Sequence, residues 1–276
     1  MSADRKPHLA ETGPVAEAAG EAAAMAVTED GFLDNRLRIC QPRDGYRAAI
    51  DPVFLAAAVP AKAGERALDI GAGAGVAALA LAHRVRDLRV SGIEIDPGLM
   101  RLCVENARLN GLEARTDFMV GDVTRPPARL APGSFDHVMA NPPYLDAARA
   151  QASPRAGRAE ANIEGRAGAG GNGADLAAWM RLALAMVRKG GTVTVVHRAD
   201  RLDEVLDCFT KAAGETTIFP LWPDHGDAPA KRVLVQGVKG SNAPLRLARG
   251  LVLHEPGGAY TAEADAVLRG GAGLAL

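Results

Sequence analysis

Hydrophobic and polar positions along the chain alternate between two periods. RALDIG (66–71) is a short apolar run stopped by glycine, as a buried strand would be, and GVAALALAHRV (75–85) follows it in helix-forming residues. LRVSGIEID (88–96) reads as a second strand. DPGLMRLCVENARLNG (96–111) reads as a helix: Asp96 suits the cap, Pro97 the first turn, and Leu99, Leu102, Cys103 and Ala107 share one face before Asn110-Gly111 closes it. TDFMVGD (116–122) and FDHVMANP (135–142) predict two further strands, DLAAWMRLALAMVRKGG (175–191) a helix, TVTVVHR (192–198) a strand and RLDEVLDCFTKAAG (201–214) a helix. TTIFPLW (216–222) and RVLVQGVKG (232–240) close the series. Strands alternating with helices imply a mainly parallel sheet covered on both faces, with ligands bound beyond the carboxyl ends of the strands.

The flanks of this pattern differ from it. Residues 1–27 are rich in Ala, Glu, Gly and Pro, without large apolar residues at a fixed period, and predict a disordered tail in which AEAAGEAAAMA could form a transient helix. EGRAGAGGNGAD (Glu164–Asp175) predicts a mobile loop within a flexible stretch of about 146–174, leaving 28–276 as one domain. No internal repeat interrupts this order. The chain has 276 residues, 48% of them apolar, enough for a large core; only 4% are aromatic, so Ala, Val and Leu must fill most of it. A net charge of −1 gives no global basic signature, although a local basic patch is compatible with it. Cys40, Cys103 and Cys208 lack metal-ligand or disulfide spacing and read as small buried apolar residues of a reducing compartment. No secretion signal is evident, and runs such as VFLAAAV are too short to span a membrane, so a cytoplasmic protein without metal is expected.

Chemistry-bearing residues gather at the predicted strand ends. After Asp69 come Gly71, Gly73 and Gly75, which allow a tight turn and close approach of backbone to a ligand; a turn of this kind binds NAD, FAD or S-adenosylmethionine, or merely packs a helix on a strand. Glu94 ends the second strand 25 residues later, where a carboxylate accepts from ribose hydroxyls, with an ordinary solvated acid as the alternative. Asp122 ends the third strand, where it could accept from an adenine amino group. The G-x-G-x-x-G dinucleotide fingerprint would need glycine where Val76 stands, and the spacing G-x-G-x-G favours S-adenosylmethionine. The methionine part of that cofactor carries no pyrophosphate, and its ammonium needs an acidic or carbonyl partner, with Asp69 placed near that end.

The fourth strand runs into VMANPPYL. Prolines end the ladder, Asn141 offers a side-chain acceptor, Pro142 and its neighbour stiffen the chain so that a main-chain carbonyl can face the site, and Tyr144 offers a ring for stacking. Such a corner suits a planar amine or amide. Its lone pair is delocalised, and two acceptors on the N–H groups can orient it for in-line transfer without a strong base. A plain proline-rich strand exit is the alternative.

LDIGAGAG, GIEID, GDV and NPPY, in that order, resemble the motifs of the class I S-adenosylmethionine-dependent N-methyltransferases that carry N-P-P-Y. The likeness spans about residues 28–260. It implies a Rossmann-like α/β fold with a mainly parallel seven-stranded sheet, S-adenosylmethionine as cofactor, and methylation of adenine N6, guanine N2 or the glutamine side chain of release factors. RAAIDPVFLAAAVPAKAGERALDIGAGAG, PAKRVLVQ and LVLHEPGGAYTAEADAVL more narrowly resemble the bacterial family of adenine-N6 methyltransferases acting on valine tRNA. The first segment implies that Asp51 lies close to the cofactor; capping the helix begun by Pro52 is the alternative. The N-terminal tail and the glycine-rich loop depart from that family.

Methylation of tRNA would require cations near the corner. The candidates are Arg149, Arg155, Arg158 and Arg166 in the following loop, interleaved with acids, and Lys231 with Arg232. Release-factor methylation ranks lower, since that family carries a helical domain before its core and few residues precede the first strand here. Guanine-N2 methylation of rRNA uses a similar corner. A nucleotide-dependent oxidoreductase conflicts with the glycine spacing, and an inactive binding module with the intact Asn141 and Tyr144.

Overall fold

A twisted sheet of nine strands organises the chain, in the order β12-β10-β11-β9-β6-β3-β4-β5, with β13 also on β10. The computed structural model describes residues 25–45, 47–146, 163–164, 175–209 and 212–276. The central strands are β3 (Arg66–Ile70), β4 (Arg89–Glu94), β5 (Thr116–Val120), β6 (Phe135–Ala140) and β9 (Val187–Arg198), all mutually parallel. β11 (Arg232–Lys239) runs antiparallel between β9 and β10 (Ala213–Trp222).

The expected seven strands are all present, but the sheet is larger. β12 (Arg246–Leu247) and β13 (Leu251–Val252) pair with the outer side of β10. They cover an edge that would otherwise present unpaired amides and carbonyls. The cover is split in two around Pro220 of β10, which has no N–H to offer a partner.

Two apolar layers sandwich the sheet. On one face lie α1 (Asp51–Ala58), α2 (Val76–Arg84) and the C-terminal α6 (Ala262–Leu268), contributing Phe54, Leu55, Leu79, Leu81 and Val267 to one core cluster. On the other lie α4 (Leu176–Met186) and α5 (Leu202–Phe209), contributing Met180, Met186, Val205 and Phe209. Full burial of a side chain such as Phe54 or Leu55 contributes about 1.5–3 kcal/mol. Arg84 of α2 donates to the carbonyls of Ala56 and Val59, satisfying the end of α1.

Two helices are shorter than their composition suggests. The helix predicted over 175–191 ends at Met186, and Val187 already pairs with Phe135 of β6. Gly191 then passes so close to the Asp136 carbonyl that a Cβ would lie 2.4 Å from it, so the Gly-Gly step belongs to a bulge entering β9 and not to a helix end. The helix predicted from 201 runs over Leu202–Phe209, and β10 begins at Ala213. Helix α3 (Pro97–Leu109) is as expected: Asp96 accepts from the Gly98 and Leu99 amides and caps it. Most of the predicted tail (1–24) and loop (147–162 and 165–174) lies outside the described residues, between which β7 (Leu145–Asp146) pairs with β8 (Ile163–Glu164).

An N-terminal hairpin precedes the alternating elements. β1 (Val27–Phe32) and β2 (Leu37–Pro42) are antiparallel, joined through Leu33, Asp34 and Asn35 in left-handed conformation. The alternation of Leu37, Ile39 and Gln41, all buried, is the signal that marks β2. Asn106 of α3 fixes the hairpin to the core. Its side-chain oxygen accepts from the Cys40 amide, and its Nδ2 donates to the carbonyls of Cys40 and Ala74. Asn106 is fully buried, so Asn106→Ala strands three backbone groups and is expected to cost roughly 2–4 kcal/mol, read as a lower midpoint in urea unfolding.

Candidate active site

The β3–α2 turn forms the floor of the site. Gly71, Gly73 and Gly75 all have positive φ, at 70°, 58° and 90°. A Cβ at Gly71 would lie 2.2 Å from the Trp179 ring, whereas a Cβ at Gly73 would enter open space. The turn is therefore packed tight behind Gly71 and left clear above Gly73. Glu94 at the end of β4 braces it: one carboxylate oxygen accepts from the Gly73 amide at 2.9 Å, the other from the Asp96 amide at 3.0 Å. Burial pushes the Glu94 carboxyl up, against the pull of those amides. Cys103 donates its thiol to the Gly73 carbonyl at 2.9 Å.

Asp69, 2% exposed, sits beneath the turn with Oδ2 lacking any hydrogen-bond partner. Burial pushes its carboxyl up to about 8, partly opposed by the Ala78 amide and reinforced by Glu94. A buried carboxylate oxygen beside an open, glycine-lined pocket calls for a cationic partner. The pocket brings Asp69, Gly71 and Gly73 together with Leu99 and Asn141, and the hairpin residues Gln41 and Pro42 close one side.

The N-P-P-Y corner lies at the mouth of this pocket, on the same strand-end edge. Asn141 lines the pocket beside Asp69 and Gly71. Pro142 is buried, and all peptide bonds through the corner are trans. Tyr144 is not the open stacking platform the sequence suggests. It is 7% exposed, the Arg232 guanidinium lies over its ring at 4.4 Å, and His197 meets it edge-to-face at 5.5 Å. Its hydroxyl lies 2.7 Å from Asp51 Oδ2 and 2.6 Å from the side-chain oxygen of Asn141. A base can stack on this ring only by displacing those neighbours. His197 is fully buried and its Nδ1 accepts from the Arg198 amide; burial pushes its pKa down to about 4, so it is neutral near pH 7.

Asp51 is the first residue of α1, where Ile50 is the cap and makes no side-chain bond to the helix. The capping alternative is therefore wrong: the carboxylate turns to Tyr144 and Arg232 instead. Asp122, at the end of β5, accepts from the Thr124 amide and hydroxyl in its own turn, with Arg125 3.9 Å away. It is not among the residues lining the glycine pocket. Of the cations expected to meet nucleic acid, Lys231 is exposed, Arg232 is committed to Asp51, and the four loop arginines lie outside the described residues. No group of three or more potential metal ligands occurs among the described residues, and none of their helices is long and apolar enough to cross a membrane.

The family profile described as methyltransferase small domain matches residues 49–156, which include the glycine turn, Glu94 and the corner. A crystal structure described as a predicted O-methyltransferase from Agrobacterium tumefaciens superposes with a TM-score of 0.67 at 28% identity, covering 82% of this chain and 99% of that one. Residues 49–156 thus carry a methyltransferase domain, and the chain resembles the class I S-adenosylmethionine-dependent methyltransferases in motif order and fold. Among curated relatives, the chain is 32% identical over 160 residues to the release factor glutamine methyltransferase of Moorella thermoacetica, a match covering 57% of this chain and 54% of the relative. It is 28% identical over 233 residues to the tRNA1(Val) (adenine(37)-N6)-methyltransferase of Aeromonas salmonicida, covering 84% of this chain and 92% of that one. In the first three curated relatives the matched part is 54%, 25% and 49% of their length, about half or less.

The residues of the pocket fit S-adenosylmethionine. The orphaned Asp69 oxygen suits its ammonium, and the space above Gly73 admits a ligand that a Cβ would exclude. No sequence motif marks the hairpin wall of Gln41 and Pro42. Arg232 was legible only as a cation, since its partners lie in other segments.

Proposed function

We propose that this methyltransferase acts on the N6 amine of an adenine in tRNA. The observation that carries the reading is the placement of Asn141 on the wall of the glycine pocket, beside Asp69 and Gly71. When bound, the cofactor supplies an electrophilic methyl group. The chain's residues bind and orient. Asp69 takes the ammonium, and Glu94 braces the turn and offers its carboxylate to ribose hydroxyls. The Asn141 side chain and the Pro142 carbonyl accept from the acceptor's N–H groups and turn its lone pair toward the methyl. This chemistry needs no strong base. A hydroxyl acceptor would need one, and Asp51, the carboxylate joined to the corner through Tyr144, is already held by Arg232.

Adenine in tRNA is favoured over a glutamine side chain because the Aeromonas tRNA enzyme is matched over nearly its whole length. The match to the Moorella release-factor enzyme keeps the glutamine reading as the second one. Incubation with methyl-labelled S-adenosylmethionine and, separately, total tRNA, rRNA or a release factor decides between them. Label in tRNA recovered as N6-methyladenosine is expected. Label confined to protein, or to guanine, overturns the proposal.

A further inference from the structure

We propose that Trp179 is a positioning residue for the cofactor, its indole holding the glycine turn in the shape that binds. The inference rests on the glycine pocket being the S-adenosylmethionine site and on no particular acceptor. Gly71, Gly73 and Gly75 give the turn its left-handed conformations, and glycine loses more backbone freedom on ordering than any other residue. Freedom left in the free protein is given up when a ligand binds, at the expense of affinity. Contacts that hold the turn beforehand therefore set how tightly the cofactor binds.

Neighbouring elements hold the turn at its entry and at Gly73. The Gly71 and Ala72 amides both donate to the Ile93 carbonyl of β4, each at 2.9 Å, and Glu94 and Cys103 hold the Gly73 amide and carbonyl. Trp179 supports Gly71 from a different part of the chain, α4, which follows the N-P-P-Y corner. A Cβ at Gly71 would collide with Cη2 and Cζ3 of the indole, so the far edge of the ring fills the place of the missing side chain. Gly71 also lines the cofactor pocket, so ring and pocket share its backbone between them. The indole is itself held firmly. Asp175 caps α4 by accepting from the Ala178 amide at 2.7 Å, and Trp179 packs against the core that contains Met180 and Val205.

Two measurements test this role. The first is calorimetric titration of S-adenosylmethionine into Trp179→Phe. Phenylalanine keeps an aromatic ring against the core but is too short to reach Gly71 as indole does. The Kd is expected to rise about tenfold, because the turn must then be ordered by the ligand. A tryptophan that serves only the core would lower the midpoint of urea unfolding and leave the Kd of the folded protein unchanged. That result overturns the proposal.

The second measurement leaves Trp179 in place. The chain has two tryptophans, and in Trp222→Phe the emission comes from Trp179 alone. The cofactor brings charge and excludes water on the far side of Gly71, and an indole in contact with that residue registers both. Trp179 emission is expected to change saturably as S-adenosylmethionine is added, with a midpoint equal to the calorimetric Kd. Binding by calorimetry with unmoved emission overturns the role of Trp179. No binding at all overturns the cofactor reading and this inference with it. Binding with moved emission, but without methyl transfer to tRNA, counts against the function proposed above and leaves the role of Trp179 standing.

Discussion

Asn141→Ala is expected to lower kcat by about a thousandfold while leaving the Kd for S-adenosylmethionine within about threefold. The two effects separate because of where Asn141 sits. It shares the pocket wall with Asp69 and Gly71, while Glu94 and Cys103 hold the glycine turn from beneath. Truncation removes an acceptor for the incoming amine and leaves the cofactor cradle intact. Residual transfer would reflect proximity alone. Single-turnover methylation alongside calorimetric titration of the cofactor checks both halves. Turnover equal to the native value would make the corner a structural strand exit, and a parallel loss of cofactor binding would make Asn141 part of the cradle.

Cofactor affinity is expected to rise with pH up to about 8. In the free protein burial pushes Asp69 up to about 8, so at pH 6 the carboxyl is protonated, whereas pairing with the ammonium requires the carboxylate. Binding must then release a proton. Between pH 6 and 8 the Kd should fall on the order of 50-fold, as long as the bound form titrates below pH 6. Calorimetry in buffers of differing ionisation enthalpy reads the proton directly. Asp69→Asn should flatten this dependence and weaken binding at pH 8 by about a hundredfold or more.

Stability should move in the opposite direction. A carboxyl whose pKa in the fold lies above its value of 3.8 when unfolded binds more protons folded than unfolded between those limits. The cofactor-free protein therefore loses stability as pH rises from about 4 to about 8, and Asp69→Asn removes that contribution. A pH dependence unchanged by the substitution would show that Asp69 ionises as an ordinary carboxyl.

Features governed by neighbours in the chain were legible from residue order. Asp96 caps α3 because an acid before Pro97 can reach the next free amides, and Gly71, Gly73 and Gly75 mark a turn because other residues resist positive φ. Apolar runs of the right length located the central strands. Phe135–Ala140 delivers NPPY to the same edge as the glycine turn because parallel strands share one carboxyl end. The helix limits were misread where pairing overrode composition, at Val187 against Phe135, since a residue's place in a ladder depends on a partner 52 positions away.

The corner's inner structure was set by tertiary packing alone. Nothing local to Asp51 distinguishes a helix cap from half of an ion pair with Arg232, 181 residues along the chain. The N-P-P-Y motif likewise could not show that the Tyr144 ring is covered. Hydrogen-bonding turns and helix caps are satisfied within a few residues and leave a trace in sequence. A buried charge pair is satisfied wherever the fold brings its partner, so its membership becomes visible only once α1, β6 and β11 converge at one edge of the sheet.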